Sequence, residues 1–189
     1  MGARHLATAA TLAVATCLAF TPVAGAHGRG CAGAHTPIAS ASRAALKRAV
    51  VCLIDRQRRA HGLPGLRANR HLDRSAQRWT NVMVSDHDFS HGANFSARIS
   101  AVGFDWSSVG ENIATGFTTP SAVVRAWMAS TGHCQNILNP TYRYIGTGVD
   151  GKSAGPGEGP GTWTQDFGLL MGQPAASDNW GPASGCPYR

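Results

Sequence analysis

The chain has 189 residues, with 17 Lys and Arg against 10 Asp and Glu, a formal charge of +7 and five cysteines. That size suits one domain with a proper core, and no repeat period or second low-complexity region calls for another architecture. The basic residues, among them Arg56, Arg58, Arg59, Arg67, Arg70, Arg74 and Arg78, are scattered without alternating aromatics. They predict a solvated basic face and argue against a nucleic-acid partner.

Residues 1–26 carry Arg4, an apolar run from Leu6 to about Phe20, and small residues at Ala24 and Ala26. This is the layout of a secretory signal peptide cut after Ala26. The run is shorter than the roughly 20 residues that span a bilayer, and Thr8, Thr11 and Thr16 dilute it, so no transmembrane anchor is expected. Cys17 leaves with the leader. The expected product is secreted, extracellular and soluble, with a charge of about +6 once Arg4 is gone. Four cysteines stay: Cys31, Cys52, Cys134 and Cys186. An even number in an exported chain predicts two disulfides, and spacing leaves all three pairings open. No Cys-x-x-Cys pair points to structural zinc.

Residues 27–39 form an N-terminal segment, and the domain runs over 40–189. Residues 40–60 place Leu46, Val50, Leu53 and Ile54 on one helical stripe, with Gly62 as the stop. A turn at Pro64 and Gly65 leads to Asn69, an N-cap for a second helix carrying Leu72, Ala76, Trp79 and Met83 to about Asp86. "FSARISAVGF" has room for a short helical turn ending at Gly103. "VGENIATG" is polar and glycine-bracketed, and is expected in tight turns. Thr119 and Pro120 open a third helix through Val123, Val124 and Trp127, expected to end near Gly132. "YRYIGTGVD" and "TWTQDFGLLM" predict two strands flanking residues 150–161, a Gly/Pro-rich stretch expected to be disordered and dispensable, with nothing in it to pack a core. The tail is turn-rich and closes with Cys186.

Taken in order, "LIDRQRRAHGLPGLRANRHLDRSAQRWTNVMV", "DFSH", "GENIATG", "AVVRAWMASTGHCQNILNPTYRYIGTGV" and "WTQDFG" resemble the CAP superfamily of cysteine-rich secretory, antigen 5 and pathogenesis-related proteins, especially its bacterial SCP-like branch. The likeness covers about residues 43–168. It implies an α+β fold, an α-β-α sandwich with a small antiparallel sheet between helical layers and a cleft lined by His and Glu. By motif match, His91 of "FSH" and Glu111 of "GEN" belong to that cleft. The eukaryotic branch adds a helix Glu and a strand His, but the matching positions here are Ser130 and Thr162. The second imidazole is instead His133, as in the bacterial branch, with Gln165 nearby. The resemblance also implies Cys31–Cys52 around the first helix, and an added Cys134–Cys186 bridge where that branch usually has Arg.

Two imidazoles and a carboxylate, His91, His133 and Glu111, are a legitimate ligand set for a divalent ion such as zinc. The structural alternatives are a helix C-cap for His133 and a buried backbone acceptor for Glu111. Asn112 can serve neighbouring backbone in the same way. Ser90, Ser107, Ser108 and Ser130 are available hydroxyls, but no Gly-x-Ser-x-Gly elbow appears, so no catalytic residue is assigned. The expected function is a non-enzymatic binding module for a small apolar or cell-envelope ligand, with a metal in the cleft as an accompanying expectation. The alternative is a metal-assisted hydrolase or peptidase acting at the envelope.

Overall fold

The computed structural model describes residues 1–2 and 30–188. The expected signal peptide, with Cys17, lies outside the described residues apart from its first two positions, as does the start of the N-terminal segment.

Helix α1 (Arg43–Ala60) starts where the Ser42 side chain accepts the Ala45 N–H, and it buries Leu46, Ala49, Val50 and Ile54. It also buries Arg58, which corrects its expected place on a solvated face. With no exposed surface, the Arg58 guanidinium donates to the carbonyls of Pro64, Ile137 and Asn139 at 2.8 Å and of Tyr142 at 3.4 Å. Burial lowers its pKa to about 10, so it remains charged at neutral pH. Its five donors in a rigid fork suit several carbonyls at once, which a Lys could not match. One side chain thus ties the α1 exit to the segment entering the sheet.

Strand β1 (Arg67–Ala68) precedes helix α2 (Arg70–Asp86), whose N-cap Asn69 accepts from the N–H groups of His71 and Leu72. Helix α2 ends at His87, which is left-handed with φ 53°. Helix α3 (Phe95–Ala101), strand β2 (Trp106–Thr115), helix α4 (Pro120–Met128) and helix α5 (Thr131–Ile137) follow. Strands β3 (Tyr144–Asp150) and β4 (Thr162–Leu170) and a short helix α6 (Gly181–Ser184) complete the chain.

The sheet order is β1-β3-β4-β2. Strand β1 runs parallel to β3 and the other pairs are antiparallel, so the sheet is mixed and not purely antiparallel as expected. Helices α1, α4 and α5 cover one face in the main core, where Val50, Ile54, Val124, Trp127 and Ile137 meet Ile145, Val149, Trp163 and Phe167. Helices α2 and α3 cover the other face around Leu72, Ile99 and Phe104. The α2 axis can lie directly on β3 because Gly146 and Gly148 present no side chain; a Cβ at either would run into the α2 backbone at Leu72 or Ala76. Where β1 stops, α2 caps the open edge of β3: Asp73 accepts from Thr147 N at 2.8 Å, and the Gln77 amide exchanges two hydrogen bonds with Val149. Unpaired strand edges are aggregation hazards, and these side chains close one.

Two local readings change. "VGENIATG", apart from its last glycine, lies in strand β2, not in turns. Glu111 to Thr115 are all buried, and a strand covered on both faces lacks the alternation that marks one in a sequence. The third helix is interrupted: α4 ends at Met128, Ser130 is extended with ψ 128°, and a new helix α5 begins at Thr131. His133 therefore sits in the first turn of α5 and is not a helix C-cap.

Cys31 is bonded to Cys52 and Cys134 to Cys186, the pairing the resemblance implies, with Cα separations of 5.7 and 5.8 Å. Between β3 and β4 the chain does contribute to packing at one point. Ala154 is fully buried against Met83 and Ile113, and Thr162 Oγ1 donates to Lys152 O at 2.8 Å. The expectation that nothing in residues 150–161 packs is thereby corrected at Ala154.

Candidate functional site

Strand register sorts the polar side chains by face. Glu111 pairs with Asp166 and Asn112 with Gln165 across the β2–β4 ladder. Asp166 and Thr164 are opposite Gly146 and Gly148, which touch α2. Strand alternation therefore puts Glu111 and Asp166 on the α2 side, and Asn112 and Gln165 on the α1, α4 and α5 side.

The Glu111 side chain is only 1% exposed, and both its oxygens are engaged. His91 Nδ1 lies 2.9 Å from Oε1, and Arg98 Nη2 donates to Oε2 at 2.6 Å. A carboxylate can only accept, so Nδ1 of His91 carries the proton and Nε2 is the free ring nitrogen. The other Arg98 amine donates to His91 O at 2.9 Å. The guanidinium stacks 3.7 Å from the Trp79 ring, whose Nε1 donates to Ser90 O at 3.0 Å. Trp79, Ser90, His91, Glu111 and Arg98 close a ring of contacts that fixes the imidazole, which is 48% exposed at the rim. Arg98 and the role of Trp79 were missed in the sequence, because α3 reaches Glu111 only through the fold.

Asp166 is wholly buried, and neither carboxylate oxygen has a hydrogen-bond partner among the described residues; Ser75 Oγ is likewise unpartnered. Burial and then the neighbouring Glu111 charge push its pKa well above the usual carboxylate value, favouring the neutral acid.

Asn112 has a structural role. Its Nδ2 donates to His133 O at 3.1 Å, while Asn136 Nδ2 donates to Asn112 Oδ1 at 2.9 Å and to Glu111 O at 3.0 Å. These bonds lace α5 to the outer edge of β2. Trp127 Nε1, from α4, takes Ile113 O at 3.2 Å. His133 is half-buried; burial first, and the proximity of His91 second, lower its pKa, so its ring is neutral at pH 7. It lines a groove of about 300 Å³ walled by Phe89, Phe117 and Trp127, with Thr115, Ser130 and Glu158 as its other polar groups.

The fold thus brings His91 and Glu111 into direct contact and sets His133 near His91. Gln165 is not with that pair: it is buried on the opposite sheet face, with neither side-chain amide atom partnered among the described residues. Thr162 is also buried and turned toward Lys152, whereas Ser130 borders the groove. His91, Glu111 and His133 do not fit a three-ligand metal cage as arranged, since both Glu111 oxygens are taken and no group of three His, Cys, Asp or Glu suited to a metal occurs among the described residues. Ser90 Oγ donates to Asp88 at 2.9 Å. Among the described residues, no Ser hydroxyl bonds to His91 or His133.

The model of the CAP, or cysteine-rich secretory protein, family matches residues 51–167, more than half the chain, and the chain belongs to that family. It is 36% identical over 137 residues to the uncharacterized protein YkwD of Bacillus subtilis, covering 70% of this chain and 50% of that one. It is 31% identical over 96 residues to the uncharacterized membrane protein YlbC of the same organism, covering 49% of this chain and 28% of that one. The chain thus spans half the length of one curated relative and about a quarter of the other. Among solved structures, an extracellular SCP-domain protein from Bacillus anthracis superposes with a TM-score of 0.57 at 22% identity, covering 68% of this chain and 44% of that one. An outer surface protein from Borrelia burgdorferi gives 0.56 at 21% identity, covering 62% and 87%. These two likenesses establish the fold. No helix among the described residues is long and apolar enough to cross a membrane.

Proposed function

We propose that this chain is a secreted, non-enzymatic binding module that holds a small apolar or cell-envelope ligand in the groove beside His133. The observation that carries this reading is the groove's composition. Three aromatic walls surround a few polar groups, one of them a neutral imidazole, and small-molecule sites are built that way. His91, held by Glu111 and near enough to His133 to lower its pKa, keeps Nε2 available to a polar part of the ligand. A divalent ion such as zinc enters the proposal as a guest of His91 Nε2 and His133. Glu111 then orients His91 from behind instead of ligating, as carboxylates commonly do for metal-bound histidines. Titrating the protein with N-phenyl-1-naphthylamine, a neutral apolar fluorophore, tests the groove; zinc calorimetry with His91→Ala and His133→Ala tests the ion.

A metal-assisted hydrolase at the envelope is the second reading. The carboxylate-oriented imidazole favours it, since such pairs serve in acid–base catalysis. Zinc-dependent turnover of peptide or ester substrates that disappears in His91→Ala would decide for it.

A further inference from the structure

A larger groove lies on the opposite flank of the sheet, independent of the site above. It encloses about 520 Å³ between the outer side of α1, strand β1 and the start of α2. Ala44, Lys47, Arg48, Val51, Cys52 and Asp55 recur at helical spacing, so α1 carries a second stripe beside the one buried in the core. Ala44, Val51, Cys52 and Ala68 supply an apolar floor, and Lys47, Arg48 and Arg59 stand around it.

The acids at this groove have hydrogen-bonded partners of their own. Asp55 accepts from Leu66 N at 2.7 Å and from Arg59 at 3.1 Å, and Asp73 accepts from Thr147 N at 2.8 Å. Lys47 and Arg48 make no hydrogen bond or ion pair among the described residues. Two cations without a hydrogen-bonded partner, Lys47 near Asp73 and Arg48 exposed, over an apolar floor match a ligand with one anionic end and one apolar end.

We propose that this groove is a second ligand site, which takes a single-chain amphiphile with an anionic head, carboxylate or phosphate, bound by Lys47 and Arg48 with its chain along Val51 and Ala68. Half-burial lowers the Lys47 pKa, with Asp73 only partly restoring it. A bound anion would stabilise that ammonium further. The volume falls within the roughly 300–1,000 Å³ of small-molecule sites.

The test is calorimetry and amide NMR on the purified protein with dodecyl phosphate below its micellar concentration. The comparison arms are inorganic phosphate, neutral dodecyl maltoside, and zwitterionic vesicles with and without anionic lipid. Saturable binding with shifts at Val51 and Ala68, weakened about tenfold or more by the double substitution of Lys47→Gln and Arg48→Gln, is expected. Ala68→Glu, which sets a carboxylate on the exposed floor, should weaken it as well. Arg48 and Ala68 are exposed and Lys47 is half-buried, and circular dichroism checks the fold of both variants. Any of five results overturns the proposal: equal binding of the neutral amphiphile, equal binding of phosphate alone, binding only to anionic vesicles, shifts centred on His133 instead, or no effect of the substitutions.

Discussion

His91 Nδ1 and Glu111 Oε1 lie 2.9 Å apart, joining a rim imidazole to a carboxylate that is sealed inside the sheet. The pair is asymmetric in exposure, and its stability follows from that asymmetry. Glu111 also holds Arg98 at 2.6 Å. Removing a partner of a buried charge costs about 3–5 kcal/mol, whereas a solvent-exposed ion pair contributes about 0–1 kcal/mol. Arg98→Ala is therefore expected to lower the unfolding free energy by about 3 kcal/mol or somewhat less, because Arg98 is itself partly solvated. His91→Ala should cost about 1 kcal/mol or less. Urea denaturation of both variants checks the order.

Asp166 has the opposite electrostatic character. Its folded pKa is raised well above the ordinary carboxylate value, by burial first and by Glu111 second. In the window between the unfolded and folded values the native state binds more protons, so stability falls as pH rises through it. Asp166→Asn should consequently stabilise the protein at neutral pH, by on the order of 1 kcal/mol, and the gain should shrink as pH falls toward 4. His133 has the reverse sign. Its pKa is lowered, so its contribution is present above the ordinary imidazole value near 6.5 and lost on acidification below it. Thermal melts across pH for the parent, Asp166→Asn and His133→Gln separate the two.

Much of this arrangement was legible before the fold was known, and the exceptions have physical causes. Asn69 and Thr119 cap helices as their residue types foretell. Strands β3 and β4 also fall where their β-branched and aromatic content places them. Strand β2 was hidden because its buried half has no polar alternation, and the break at Ser130 because no Gly or Pro marks it. His91, Glu111 and His133 were found through the family likeness. Arg98 reaches Glu111 from a short helix, and strand parity puts Gln165 on the sheet face opposite Glu111. A period-two count from Glu111 through the β4 register would have revealed that parity, but it requires the pairing that only the fold supplies.

Arg58 is the basic residue whose chemistry differs most from its sequence expectation. Its donors satisfy four carbonyls in the interior. Arg58→Lys keeps the charge but loses the fork, leaving buried acceptors unpaired at about 1–3 kcal/mol each in the worst case. A loss of about 2–4 kcal/mol is expected, since some carbonyls will find water. A drop of less than about 1 kcal/mol in chemical denaturation would mean that the network rearranges freely.

The connection between β3 and β4 divides at Ala154. Ala154→Asp places a charge against Met83 and Ile113 and should destabilise by about 2 kcal/mol or more. Replacing residues 155–161 with a short turn spares that contact, and the melting temperature should change by only a few degrees. The same replacement removes Glu158 from the groove wall. If Glu158 contacts the ligand, affinity will fall although stability holds, so paired melting and binding measurements on one variant distinguish a spacer from a functional loop.

The groove beside His133 is the centre of the functional proposal, and Ser130 at its edge offers a way to close it. The most direct measurement is a fluorescence titration of the parent and of Ser130→Trp with N-phenyl-1-naphthylamine, after confirming that both fold. Saturable binding by the parent, lost in Ser130→Trp because the indole fills the groove, is the expected result. No saturable binding by the parent, or equal binding by the blocked variant, would contradict the assignment of this groove as the ligand site.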